Sequence, residues 1–176
     1  MVAVAGVDLR GSERKPSGIA ILHDKGLYIN RLYSDEEILR RLLEFNVKIV
    51  AVDSPLAHSS SFRHVDKTMI KLGLRVLPPG WRGMRMLVER GIKLASSLSS
   101  LGILVLETHP RSALKTSRCG NLGELASKMG VPQPSGLSRD EEDALIAAFV
   151  SLKFLQGEVI EVEGVDGRIF LLPPVC

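Results

Sequence analysis

Two kinds of hydrophobic pattern alternate along this chain. Short, nearly continuous apolar runs occur at Val2–Val7, Gly18–Leu22, Leu27–Arg31, Lys48–Val52 and Ile103–Leu106. Runs of that length suit strands, and a continuous one suits a strand buried on both faces. Between them lie stretches with apolar residues every three or four positions, the helical period. Ser34 followed by Asp35, Glu36 and Glu37 reads as a capped helix start, with Ile38, Leu39, Leu42 and Leu43 forming its apolar face to about Asn46. Further helices are predicted over Met84–Leu101, Pro110–Ser117 and Leu122–Met129. A longer one opens at Ser138 with Glu141 three positions on, a capping box, and runs to about Gln156. Pro132 and Pro134 mark a loop. Glu158–Glu163 and Arg168–Leu172 flank Val165-Asp166-Gly167 and predict a β-hairpin. Residues 54–83 are irregular, broken by Pro55, three consecutive serines, Pro78-Pro79-Gly80 and Gly83, with a short helix near Val65–Leu72.

Three short strands and a helix predict an antiparallel meander, and the later strands predict βαβ crossovers. The expectation is one α/β domain over 1–176, with a mixed five-stranded sheet, helices on both faces, an irregular basic insert at 54–83 and a C-terminal hairpin at 158–172. At 176 residues the chain is long enough for one substantial core, and its 45% hydrophobic and 24% charged content is ordinary for a globular protein.

Three of the apolar runs end in an acid: Asp8, Asp53 and Glu107. The C-terminal rim of such strands is where α/β proteins place their ligands. Asp8 and Asp53 also suit turns, and Pro55 holds Ser54 extended. Glu107 favours neither strand nor turn. Asp140 and Asp143 sit in or near the first turn of the long helix, where acids favour the macrodipole. Asp143 nevertheless heads a stripe with Ala147, Val150 and Phe154, a costly place for an unpaired charge. Glu141 is the capping partner, and Glu142 is solvated. Five carboxylates converging on one rim would repel one another unless a cation held them. Asp8, Asp53, Glu107, Asp140 and Asp143 are therefore the expected metal-binding and catalytic set. Their hard oxygen donors suit Mg²⁺ or Mn²⁺. His109 follows Glu107 closely, but a lone histidine is more often structural.

The net charge of +3 is unevenly spread. Ser54–Lys93 holds eight Lys/Arg against two acids, net +6, leaving −3 elsewhere. A basic segment beside an acidic site suits a polyanionic substrate, with Arg63, Lys67, Arg75, Arg82 and Arg85 as its phosphate contacts. The lone Trp81 could stack on a base, although packing beneath the insert is the commoner fate of such a residue. No apolar stretch spans a bilayer, and no basic stretch precedes the first apolar run, so neither membrane insertion nor a signal peptide is expected. Cys119 and Cys176 form no metal-ligand pattern and suggest no disulfide scaffold, which points to a reducing, cytoplasmic compartment. The pattern does not fix an oligomeric state.

Gly6-Val7-Asp8, Val52-Asp53-Ser54-Pro55-Leu56, Glu107-Thr108-His109-Pro110 and Asp140-x-x-Asp143-Ala144-Leu145 occur in the order seen in an uncharacterised prokaryotic family of predicted nucleases. The resemblance covers most of the chain, including Gly164–Pro173. More distantly the chain resembles Holliday-junction resolvases, which implies that Asp8, Asp53, Asp140 and Asp143 match metal-binding acids. Glu107 matches the uncharacterised family and no obligatory resolvase position. Both resemblances imply a ribonuclease-H-like fold and a nuclease that hydrolyses phosphodiesters with two carboxylate-held metal ions, acting on nucleic acid or a nucleotide. Two alternatives stay open. One is a nucleotide-binding phosphotransferase-like protein, suggested by the polar loop Leu9–Ser17 after the first-strand Asp. The other is a non-catalytic nucleic-acid-binding module of the same fold.

Overall fold

A computed structural model describes residues 1–132 and 134–176. Three strands form an antiparallel meander: β1 (Val4–Asp8), β2 (Ser17–His23) and β3 (Gly26–Leu32). Helix α1 (Asp35–Glu44) carries the chain across to β4 (Ile49–Val52), which pairs parallel with β1. Helices α2 (His64–Lys71) and α3 (Arg82–Ser100) precede β5 (Leu104–Glu107), which pairs parallel with β4. The sheet order is β3-β2-β1-β4-β5, the expected mixed five-stranded sheet. Then come α4 (Pro110–Ser117), α5 (Leu122–Lys128), α6 (Arg139–Leu155) and the hairpin β6 (Ile160–Gly164) and β7 (Gly167–Leu171). The centre of the loop expected at Pro132–Pro134 is Gln133, which lies outside the described residues.

The pleat divides the core into two layers. Ala5, Val7, Ile19, Ile21, Val50 and Val52 pack beneath α1 and α3, against Ile38, Leu42, Leu94 and Leu98. Val4, Ala20, Leu22, Ile49, Ala51 and Leu106 face α6 and the helices and hairpin beyond it. Helix α6 is buried on nearly every side from Asp143 to Ser151, because the sheet covers one flank and α4 covers another. Two glycines let it lie so close to the strands. A Cβ on Gly6 would stand 2.2 Å from the Ala144 carbonyl oxygen, and one on Gly18 would stand 2.0 Å from that of Asp140. Ser151 Oγ then donates to the Ala5 carbonyl at 2.7 Å, pinning the helix to β1.

The predicted helix starts form as the sequence implies. Ser34 with Glu37, and Ser138 with Glu141, make reciprocal capping boxes at α1 and α6. The C-terminal hairpin docks beside β5, where Thr108 bridges Phe170 and its hydroxyl donates to the Phe170 carbonyl at 2.7 Å. The hairpin turn also reaches α2: the backbone N–H groups of His64 and Val65 donate to the Asp166 carboxylate at 2.7 and 3.2 Å. A turn residue thus serves as the cap of a helix about a hundred positions away.

The cysteines depart from expectation. Cys119 and Cys176 are joined in a disulfide, with Cα atoms 5.1 Å apart. The tail after β7 returns along the end of α4, where the N–H groups of Val175 and Cys176 both donate to the Ser117 carbonyl. That return brings together two residues 57 positions apart, a proximity no local pattern encodes. No helix among the described residues is long and apolar enough to cross a membrane.

Candidate functional site

The register of the parallel strands decides which acids meet. Val7 pairs with Val52, so Asp8 and Asp53 follow side by side, with the Asp53 N–H donating to the Val7 carbonyl at 2.8 Å. By the pleat, both project toward the α6 face, in line with Gly6 and Ala51. Asp143 enters from the first turns of α6, held close by Gly6 and Gly18. Glu107 is offset by one residue. It pairs with Val52, not with Asp53, and so leans toward the opposite face.

The charge state of the three converging acids reflects that crowding. Burial raises the Asp8 carboxyl to about 7, with Asp143 and Asp140 adding to the rise and Arg10 and Arg111 opposing it. Asp53 is pushed well above the carboxylate range by burial, then by Asp8, Asp143 and Glu107, with the Arg111 guanidinium opposing. Burial raises Asp143 too, and Arg111 is its main opposing charge. Neither Asp8 nor Asp53 accepts a hydrogen bond among the described residues. Asp143 Oδ1 is buried and also lacks an aligned donor, although Arg111 Nε lies 2.7 Å away. Buried acceptors left without donors are costly, and hard oxygens so placed are what a divalent cation requires. As the side chains stand, no three acids, histidines or cysteines among the described residues are drawn close enough to enclose one ion. The donor chemistry fits a divalent metal, although these side chains do not enclose one as they stand.

The other two acids are already engaged. Glu107 accepts from Arg63 Nη1 at 2.9 Å and Nη2 at 2.5 Å, and from the Leu56 N–H at 2.9 Å. Burial raises Glu107, while Arg63 and the Leu56 N–H hold it down. Asp140 lies between Arg10 and Arg31, with Arg31 Nη2 at 3.3 Å. These pairs are locks on the fold: Glu107 fastens the segment after Asp53 to β5, and Asp140 ties α6 to β3 and to the loop after β1.

One expectation is corrected outright. The sequence places Arg63 among the phosphate-contacting residues, but it is 2% exposed and bound to Asp66 and Glu107. Its position explains this: it precedes α2, so its own N–H and its side chain both bind Asp66 in the first turn. With four of its five N–H donors taken and the side chain shut off from solvent, this guanidinium is not placed to meet substrate. Arg90, part of the same basic segment, is also buried. It donates to Asp35 and to the carbonyls of Arg10 and Tyr33, at 2.7–2.9 Å. It therefore shapes the loop after β1 and leaves nothing to the surface. Lys67, Arg75, Arg82 and Arg85 are exposed.

A cleft of about 220 Å³ opens over Asp8, Asp53 and Glu107. Its lining includes Asp8, Arg10, Asp53 and Glu107, with Ser54, Pro55, Val76 and Leu77 from the irregular segment and Met84 and Leu87 from α3. The 54–83 segment thus borders the acids. Trp81, expected beneath the insert, is 59% exposed. His109 lines the cleft, bonds Ser112 Oγ at 2.7 Å, and is kept uncharged by burial, which lowers its pKa.

Arg111 is the residue that pattern reading passed over. It opposes the charge of all three converging acids. One signal was available: it occupies the first turn of α4, directly after Pro110, where the helix macrodipole disfavours a cation. An arginine there needs an acidic partner.

No family model and no curated protein matches this chain. Among solved structures it is similar to T. thermophilus RuvC, determined in complex with a Holliday junction substrate. The TM-score is 0.58 and the identity 13%, over 89% of this chain and 97% of that one. The fold is ribonuclease-H-like. At that identity the likeness is one of fold. It bears out the distant resemblance to resolvases at that level, while no match stands behind the uncharacterised prokaryotic family.

Proposed function

We propose that this protein is a metal-dependent nuclease whose ion-binding acids are Asp8, Asp53 and Asp143. The observation that carries this is their convergence at one strand rim: Asp8 and Asp53 lie side by side without a hydrogen-bond donor among the described residues, Asp143 Oδ1 is buried without an aligned one, and burial raises all three pKa values, with Asp143 adding to the rise at Asp8 and Asp53. A bound Mg²⁺ or Mn²⁺ would supply charge stabilisation for phosphodiester hydrolysis and an activated water. The expected set of five acids narrows to these three as direct ligands. Glu107 and Asp140 are assigned to the same site as supports, acting through Arg63 and through Arg10 and Arg31.

The substrate is nucleic acid. Arg10 is exposed at the cleft beside Asp8, and its backbone is held by the Ser17 hydroxyl and by Arg90. It can meet a phosphate next to the metal-binding acids. Lys67, Arg75, Arg82 and Arg85 extend the basic surface, and the exposed Leu77, Trp81 and Met86 offer apolar surface for base stacking. The solved neighbour was crystallised on a branched DNA, which makes branched substrates the first to try.

The test is a cleavage panel of single-stranded, duplex, hybrid and branched substrates with Mg²⁺ or Mn²⁺. Cleavage should require the metal and fall by a factor of about 10³ or more in Asp53→Asn, the scale expected when a group central to charge stabilisation is removed. Metal-independent cleavage, or an Asp53→Asn variant that retains wild-type activity, contradicts the proposal.

A further inference from the structure

The arginines paired with these acids fall into two kinds. Arg63 makes five hydrogen bonds to Asp66 and Glu107, four of them from its side chain, and is sealed from solvent. Such a pair is fixed for the life of the fold, since breaking it leaves buried charge uncompensated. Arg111 is different. Its Nε lies 2.7 Å from Asp143 Oδ1, yet both atoms are buried and neither makes an aligned hydrogen bond. The contact is electrostatic attraction without the directional bond that usually accompanies it. The side chain is 38% exposed, so it has a path outward. A second partner is already engaged: Arg111 Nη2 donates to Glu142 Oε2 at 3.4 Å.

We propose that Arg111 is an exchangeable internal counter-cation: it neutralises Asp143 when no metal is bound and swings toward Glu142 when a divalent ion takes its place. This rests on the metal-binding reading above and adds a role for a residue outside the acid set. Arg10 also opposes Asp8, but at Asp143 Oδ1 the near cation is Arg111, with Nε at 2.7 Å. The incoming ion needs Asp143 Oδ1, the atom that Arg111 now contacts, so the two cations compete. The exchange costs little, because the contact with Asp143 lacks an aligned bond while the departing guanidinium keeps its hydrogen bond to Glu142 and can add a substrate phosphate. Arg139 also approaches Asp143, at 3.9 Å, but it is 77% exposed and its charge is largely screened by solvent.

Calorimetric titration of Mn²⁺ into the wild type, Arg111→Gln, Arg111→Lys and Arg139→Gln tests this, with circular dichroism confirming that each is folded. Arg111→Gln should bind Mn²⁺ about ten-fold more tightly or better, the order expected when one unit charge is removed a few ångströms from an ion at partly buried dielectric. Arg111→Lys should fall between it and the wild type, and Arg139→Gln should stay within about two-fold of the wild type. If Arg111→Gln does not fold without metal, the Lys variant decides: affinity equal to the wild type overturns the exchange. If the wild type binds and Arg111→Gln binds no more tightly, the exchange is wrong and the metal site stands. If no folded variant binds Mn²⁺, both the exchange and the metal site are wrong.

Discussion

Asp8 shows how position gives a common side chain an uncommon property. Its carboxyl is raised to about 7 by burial and by Asp143, whereas an unfolded Asp releases its proton near 4. Between those values the metal-free folded chain holds more protons than the unfolded chain, so this group lowers stability as pH rises through the window. His109 acts in the opposite sense over part of the range. Its lowered pKa means that the folded state holds fewer protons there, so stability rises with pH up to about 6.5. The clean observable is therefore a difference. Asp8→Asn should gain melting temperature over the metal-free wild type, and that gain should grow from pH 5 to pH 8. A gap that is constant or shrinks would show that Asp8 ionises freely in the folded protein. The meeting of Asp8 and Asp53 at one strand rim was legible because each ends an apolar run. Arg63 was misread because its partner Glu107 lies 44 positions away and no local pattern joins them. Arg111 was missed although its place in a helix's first turn, where a cation is disfavoured, gave a usable hint.

At the level of elements, the approach of α6 to the sheet is what brings Asp143 to the strand rim. Gly6 and Gly18 permit it, since a side chain at either would run into helix backbone that cannot yield as a flexible side chain can. Gly18→Ala is expected to cost about 1–3 kcal/mol or more of stability, as overpacking does. It should also weaken the rise in melting temperature that metal gives, by drawing α6 away. Denaturant unfolding, with and without Mn²⁺, measures both. A Gly18→Ala variant within about 0.5 kcal/mol of wild type, with an unchanged metal response, would show that α6 is not held by this contact. The strands and helices themselves were readable because period and caps are local, as Ser34 with Glu37 and Ser138 with Glu141 show. The one-residue offset that turns Glu107 away from Asp53 was not, because strand register is settled only when β4 and β5 pair.

Across the whole molecule, the last segment closes the structure on itself. The hairpin extends beyond β5 through Thr108 and Phe170, its turn caps α2 through Asp166, and Cys176 is bonded to Cys119. Closing a loop of 57 residues restricts the unfolded chain by an amount worth about 4 kcal/mol in the chain-entropy account. Cys176→Ser should therefore lower stability by up to about that much, without changing metal affinity, because the disulfide lies away from the acids that bind the ion. A loss of metal binding in that variant would show that the tail and the site are coupled. The central claim, that Asp8, Asp53 and Asp143 together hold a divalent ion, is tested most directly by crystals grown with Mn²⁺ and measured for anomalous scattering. The account predicts a peak within coordination distance, about 2.0–2.6 Å, of oxygens from all three side chains, and no such peak in Asp53→Asn. A peak seated only on other acids, or none there at saturating Mn²⁺, would contradict it.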